Sequence, residues 1–326
     1  MKKMKTPRAV LISDIHFNIN TLPLASSALN QAMRKAEVLR VPLLVLGDMH
    51  DTKAMLRGEC VNSLISLFNS FGETAYILVG NHDLLNEKGI EHSLTFLRNY
   101  AVLVSTPGVI DGAAFIPYQA SPEAFAKALA EIPQGVTIFM HQGVVGANLG
   151  DYVLDHSAVD PEILKDYKVF SGHYHQHQTV GTVTYIGSPY TVTASEANDG
   201  PKGFLVLYDD NSFEQIPTNL RKHVTVERTP ANILDPIPGL QPADILWVKV
   251  KGTYSELKKL NKAEIGKALI GHNNFKLDPI VNEVDATAIE EEKDYSSSEL
   301  IDKLIEESGE TKAQQTFLKS LWRRIA

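Results

Sequence analysis

Between residues 9 and 216, short apolar runs alternate with longer stretches in which apolar residues recur every three or four positions. The runs at 9–13, 43–46, 75–79, 136–140 and 168–171 are apolar at nearly every position, the pattern of strands buried on both faces. Helical spacing marks 24–39, 53–71, 90–98 and 122–130. Strands separated by helices predict an α/β layered domain. Farther along, 179–186, 203–208 and 213–216 read as strands with no helix between them, which makes the sheets mixed.

The pattern loosens over 217–242, which holds five prolines. Beyond it a strand at 245–251, a helix at 254–270 and a strand at 275–281 predict a small α+β unit. An acidic stretch at 290–294 precedes two amphipathic helices at 297–307 and 312–325, with Ser296 and Glu299 at capping-box spacing. The last helix carries Phe317, Leu318, Leu321, Trp322 and Ile325, an apolar face that either folds back on the core or docks on a partner. The expected units are therefore 1–216, 217–290 and 291–326.

Composition narrows this picture. At 326 residues and 44% hydrophobic content, the chain can bury one large core and a smaller one. Its single cysteine, Cys60, lies in an apolar run and reads as a core thiol in a reducing cytoplasm. Lys2, Lys3 and Lys5 mimic the start of a secretory signal, but the apolar stretch 9–12 meets Asp14 too soon for export or a membrane span. A soluble protein of the cytoplasm is expected. Net charge is −8, and neither half is basic, which predicts weak non-specific affinity for nucleic acid without a partner. There is no GxxxxGK[ST] loop, so any ATP hydrolysis belongs to another chain.

Five of the predicted strands run into polar clusters: Ser13-Asp14-Ile15-His16, Gly47-Asp48-Met49-His50-Asp51, Gly80-Asn81-His82-Asp83, Met140-His141-Gln142 and Gly172-His173-Tyr174-His175. Open α/β sheets place their sites just past the carboxyl ends of strands. Asp14 and His16 alternate by two, so both can project from one strand edge. Asp48 can bridge two ions through its two oxygens, Asn81 offers a carbonyl oxygen, and His141, His173 and His175 offer imidazole nitrogens. A nitrogen and oxygen set without thiolate suits manganese, iron or zinc in a catalytic site. Alone, the D-x-H triplet reads equally as a capped loop. Together the clusters predict two adjacent divalent ions, which clamp both the attacking and the leaving oxygen of a phosphoester. His92, His156, His177, His223 and His272 match no part of this pattern and read as ordinary histidines.

The ordered set D-x-H, G-D-x-x-D, G-N-H-D, H and G-H-x-H resembles the calcineurin-like metallophosphoesterase superfamily. The resemblance implies a sandwich of mixed sheets flanked by helices. It implies that Asp14, His16, Asp48 and His175 hold one ion, and Asp48, Asn81, His141 and His173 the other. His82 would then protonate the leaving oxygen while Asp51 orients it. A carboxylate on one imidazole nitrogen fixes the tautomer, so that pairing is chemically sensible. His50 and Asp83 either support the ligands from behind or make simple loop hydrogen bonds.

Substrate class rests on Tyr185-Ile186-Gly187-Ser188-Pro189, followed by Glu196-Ala197 and Lys202-Gly203-Phe204. This stretch resembles the SbcD-type nuclease subunit of the meiotic-recombination nuclease family, in a compact phage or bacterial version. It implies a manganese-dependent 3′-to-5′ exonuclease on duplex DNA and endonuclease on single strands, with a capping domain and a terminal helical segment that docks on an SMC-like coiled-coil ATPase. It also implies a homodimer through helices near the site, with Leu64, Leu67, Phe68, Leu94 and Leu97 either at that interface or in the core. A phosphoesterase acting on nucleotides or phosphoproteins, and a non-enzymatic scaffold that binds DNA ends, are the rival readings.

Overall fold

The structure is a computed structural model that describes residues 5–52, 56–86, 91–148, 155–270 and 275–281, with isolated positions between 305 and 319. The expected helices at 297–307 and 312–325, the acidic stretch before them and His272 fall largely or wholly outside the described residues.

In chain order the first elements are β1 (Pro7–Ile12), α1 (Leu22–Leu39), β2 (Leu43–Val45), α2 (Gly58–Ser70), β3 (Ala75–Leu78) and β4 (Val102–Val104). Next come β5 (Gly108–Ile110), β6 (Ala113–Ile116), α3 (Pro122–Ala130), β7 (Thr137–His141), β8 (Lys168–Gly172), β9 (Gln178–Val180) and β10 (Val183–Tyr185). The chain then continues through β11 (Gly203–Tyr208), β12 (Phe213–Pro217), β13 (His223–Arg228), β14 (Ile245–Gly252), α4 (Tyr254–Leu257), α5 (Lys262–Ile270) and β15 (Phe275–Val281).

Two six-stranded mixed sheets, ordered β12-β11-β1-β2-β3-β4 and β5-β6-β7-β8-β10-β9, stack face to face. Strand alternation sorts their side chains into layers. Ala9 and Leu11 of β1 point inward with Leu44, Leu78 and Leu205 to meet Phe115, Phe139 and Phe170 of the second sheet. Val10 and Ile12, one position on, face outward against Ala28, Leu29 and Met33 of α1 and Cys60, Leu64 and Phe68 of α2. The second sheet likewise turns Ile116, Ile138 and Val169 toward Phe125 and Leu129 of α3. The central strands β1, β2, β7 and β8 are therefore covered on both faces, which is why they lack polar alternation, while the edge strands β5, β9 and β12 stay partly exposed. The remaining strands form a parallel three-stranded sheet, β13-β14-β15, packed around its own cluster of Leu246, Val248, Val250 and Ile265.

Several expectations change. The 179–186 strand is a hairpin, β9 and β10, turned at Gly181 with φ 57°. The helix expected at 90–98 is a single 3₁₀ turn, Ser93–Leu97. The helix expected at 254–270 is broken because Asn261 Oδ1 accepts from the Ala263 and Glu264 amides, which caps a new helix. β13 sits inside the proline-rich 217–242 stretch. Leu64, Phe68, Leu94 and Leu97 lie in the core with 3% exposure or less, and Leu67 packs against it, so these residues are not an exposed dimer face.

Candidate metal centre

β1, β2 and β3 run parallel as neighbours in one sheet, and β7 and β8 do so in the other. Their carboxyl ends meet along one seam, which brings together clusters that lie up to 161 residues apart in sequence, as Asp14 and His175 do. The loops bend sharply there. Among the described residues, four of the eight non-glycine residues with left-handed backbone are Asp14, His16, Asp48 and His173. Such conformations persist only where the surroundings enforce them, and they concentrate at functional sites. The motif glycines answer to the same crowding. A Cβ on Gly47 would run into the His141 ring, and one on Gly80 into the Asp48 carboxylate and amide.

The side chains converge in two groups. One ligand atom each from Asp14, His16 and His175 lie within 4.8 Å of one another, as do those of Asp48, His141 and His173. Asn81 joins the second group, its Oδ1 lying 3.0 Å from His141 Nε2 and 2.9 Å from His173 Nδ1. Between the groups stands Asp48, with Oδ1 3.4 Å from His141 Nε2 and Oδ2 3.9 Å from His16 Nε2. A third group, His16, Asp51 and His82, lies beside them. The side chains singled out as candidate ligands thus all lie around one seam.

The hydrogen-bond directions fit cations at these points. His141 Nδ1 donates to the Leu46 carbonyl at 2.6 Å, which leaves the Nε2 lone pair facing the oxygens of Asn81 and Asp48. His16 Nε2 and His175 Nε2 face each other at 3.0 Å. Acceptors aimed at acceptors require a cation between them, whether a proton or a metal ion. The titration tendencies express that demand. Burial works against a charge on His141, yet Asp48 and then Asp14 raise its pKa to about 9. Burial likewise favours neutral Asp48, but His141, His16 and His82 hold its carboxyl well below the usual range. The donors are imidazole, carboxylate and amide oxygen with no thiolate, a set that suits borderline divalent ions in an open site.

His82 differs from expectation in its partner. Its Nδ1 lies 2.7 Å from the main-chain carbonyl of Asp51, while the Asp51 carboxylate turns to His16 Nδ1 at 3.4 Å and accepts from Asn18 at 3.2 Å. The orienting group on His82 is therefore backbone, because the loop after β2 folds Asp51 over the ring edge. Asp83 is buried and accepts from the amides of Gly80 at 2.9 Å and His50 at 3.1 Å, tying the loop after β3 to the loop after β2. Burial, helped by Asp48, pushes its pKa up to about 7. His50 packs against Phe96 with its Nε2 buried and unpartnered, and burial lowers its pKa to about 4. His92, His177 and His223 bond elsewhere, to the Leu94 amide, the Tyr185 carbonyl and Thr191.

Two acidic residues at the site carried no role in the sequence. Asp155 Oδ2 lies 3.0 Å from His173 Nε2, and Glu196 Oε1 lies 3.0 Å from His175 Nδ1. Burial raises both acids, but His173 with Ser157 outweighs it at Asp155, and His175 with Lys202 at Glu196; both carboxyls are held low. Asp155 sits in the long passage between β7 and β8, outside any motif. Glu196 was visible only as part of a signature.

Residues 7–187, more than half of the chain, match the calcineurin-like phosphoesterase family. The chain belongs to that family. The layered sandwich of mixed sheets and the seam-edge cluster of oxygen and imidazole donors are its structural expression here. Among characterised proteins, this calcineurin-like phosphoesterase is similar to exonuclease subunit 1 of Enterobacteria phage T4. The two are 27% identical over 277 residues, which covers 79% of this chain and 78% of the phage protein. Among solved structures, an archaeal phosphodiesterase aligns with 66% of this chain and 99% of its own, at 14% identity and a TM-score of 0.35. No helix among the described residues is long and apolar enough to cross a membrane.

Proposed function

We propose that this chain is a two-metal DNA nuclease that trims DNA ends, using Mn2+, with an SMC-like coiled-coil ATPase as partner. The observation that carries the reading is its similarity to a phage exonuclease subunit over 277 residues, a span longer than the matched phosphoesterase core. In this reading Asp14, His16, Asp48 and His175 hold one ion, and Asp48, Asn81, His141 and His173 the other. Bound there, two divalent ions would neutralise the scissile phosphate and acidify a water molecule. Asp48 contributes an oxygen to each side. His82, held through Nδ1 by the Asp51 carbonyl, would use Nε2 as the acid that protonates the leaving 3′ oxygen. His141 keeps the Nε2 lone pair directed at the seam because its Nδ1–H donates to the Leu46 carbonyl.

The domain division at 216 and 290 belongs to the same proposal, with 217–290 capping the DNA path and 291–326 docking on the ATPase. So does a homodimer, which a light-scattering mass at micromolar concentration checks. The decisive assay compares Mn2+-dependent turnover of linear duplex DNA, single-stranded circles, cyclic nucleotides and bis-p-nitrophenyl phosphate, with and without the ATPase subunit. Cleavage of duplex ends from the 3′ side is the expected result. Turnover confined to the small esters would replace the reading with a nucleotide phosphoesterase, and DNA binding without turnover would replace it with a scaffold.

A further inference from the structure

The stretch that carries Ser188, Glu196 and Lys202 touches neither group of converging ligand atoms directly, yet it is built around one ligand. Glu196 is 6% exposed, and each of its oxygens is saturated with donors. Oε2 accepts from Lys202 Nζ at 2.8 Å, Ser188 Oγ at 3.1 Å and the Val192 amide at 3.2 Å. Oε1 accepts from the Thr193 amide at 3.0 Å and Thr193 Oγ1 at 3.2 Å, and faces His175 Nδ1. Lys202, whose side chain is 8% exposed, also donates to the main-chain carbonyl of His175 at 2.8 Å. One lysine and one glutamate thereby hold both the backbone and the ring of this histidine.

His173 is held by a matching device turned the other way. Its Nε2 faces Asp155, and its Nδ1 faces Asn81. Asp155 is in turn fixed by the Tyr174 hydroxyl at 2.9 Å on one oxygen and by Ser157, through its amide at 2.9 Å and hydroxyl at 2.6 Å, on the other. His175 presents Nε2 to the first group of ligands, and His173 presents Nδ1 to the second. A neutral imidazole can present either nitrogen, so the acceptor on the far side decides which lone pair faces the ion.

We propose that Glu196 and Asp155 are positioning residues, each governing one ion: Glu196, clamped by Lys202, sets His175 for the ion shared with Asp14 and His16, and Asp155 sets His173 for the ion shared with His141 and Asn81. This rests on the two-ion reading above. It gives the Ser188, Glu196 and Lys202 signature a physical task, which is to freeze one ligand rather than to touch DNA.

The test is calorimetric titration of Mn2+ into chelator-stripped full-length protein, with thermal melting as a control for folding. Wild type is expected to show two uptake steps. Glu196→Ala should weaken one step about 10- to 100-fold and leave the other within about threefold, and Glu196→Gln, which keeps an acceptor oxygen, should restore most of the loss. Asp155→Ala should weaken the other step, and the double variant both. Should Glu196→Ala not fold because the buried Lys202 keeps only Asp199, at 2.9 Å, as its acid, the pair Glu196→Ala and Lys202→Met takes its place with the same expectation. Fewer than two steps in wild type would overturn the two-ion reading itself. Two steps in wild type, with folded Glu196 variants weakening both equally or neither, would overturn the positioning assignment alone.

Discussion

At the scale of single residues, the proposed roles divide the candidate site into side chains that would hold an ion and one, His82, that would move a proton. His82→Ala should retain two Mn2+ per chain by elemental analysis while DNA cleavage falls at least about 100-fold, the usual worth of a positioned acid. Asp48→Asn removes a charge from between both groups of ligands, so metal content and activity should fall together. His50 offers a test in pH. Its folded pKa of about 4 lies below the ordinary 6.5, so the unfolded chain takes up its proton first, and stability present above pH 6.5 is lost as pH falls toward 4. The cost across that window is roughly 3 kcal/mol, and His50→Phe should remove it, seen as a smaller drop in melting temperature between pH 7 and pH 5. The convergence of the candidate ligands was legible in the sequence because carboxylate, amide and imidazole residues fell at the ends of recognisable strands. Asp155 was not legible, since nothing in the spacing of a loop residue shows which ring it will meet. Nor was the acceptor on His82, because a main-chain carbonyl has no letter of its own.

At the scale of elements, continuous apolar runs disclosed β1, β2, β3, β7 and β8 well, since strands covered on both faces need apolar residues throughout. The strands β4, β5 and β6 escaped notice although they are no shorter than β2: β4 and β5 leave Val102 and Val109 exposed, and β6 opens on two alanines, which have little strand preference. β13 escaped because the surrounding prolines dominate its stretch, although His223–Arg228 pairs along its length with β14. The helix at 90–98 was over-read: Leu94 and Leu97 are buried as helical spacing requires, but one turn suffices to bury them. Packing between the sheets gives a test of the layered architecture. Phe170 is fully buried, with ring centroids of Phe139 and Phe213 each 6.0 Å away. Phe170→Ala should cost about 3–5 kcal/mol in denaturant unfolding, whereas truncation of the exposed Val109 on edge strand β5 should cost under about 0.5 kcal/mol.

At the scale of the whole molecule, ions that bind only the folded chain must stabilise it. With free Mn2+ at one hundred times the dissociation constant, each site adds about 2.7 kcal/mol, so chelation should lower the melting temperature and restored Mn2+ should raise it again. A chain that melts identically with and without Mn2+ would contradict a metal centre at this seam. The seam has one more consequence. Its ligands come from two sheets joined by a long stretch of chain, and the single buried cysteine allows no covalent staple within the chain. Already His141 reaches across to the Leu46 carbonyl, and the His173 amide to Asp14. Two ions at the same edge would act as rivets that close a loop of more than a hundred residues, so the sheets should part there first when the metal is withdrawn, and amide exchange should quicken along the ends of β1 and β8 before it quickens in the phenylalanine layer between them.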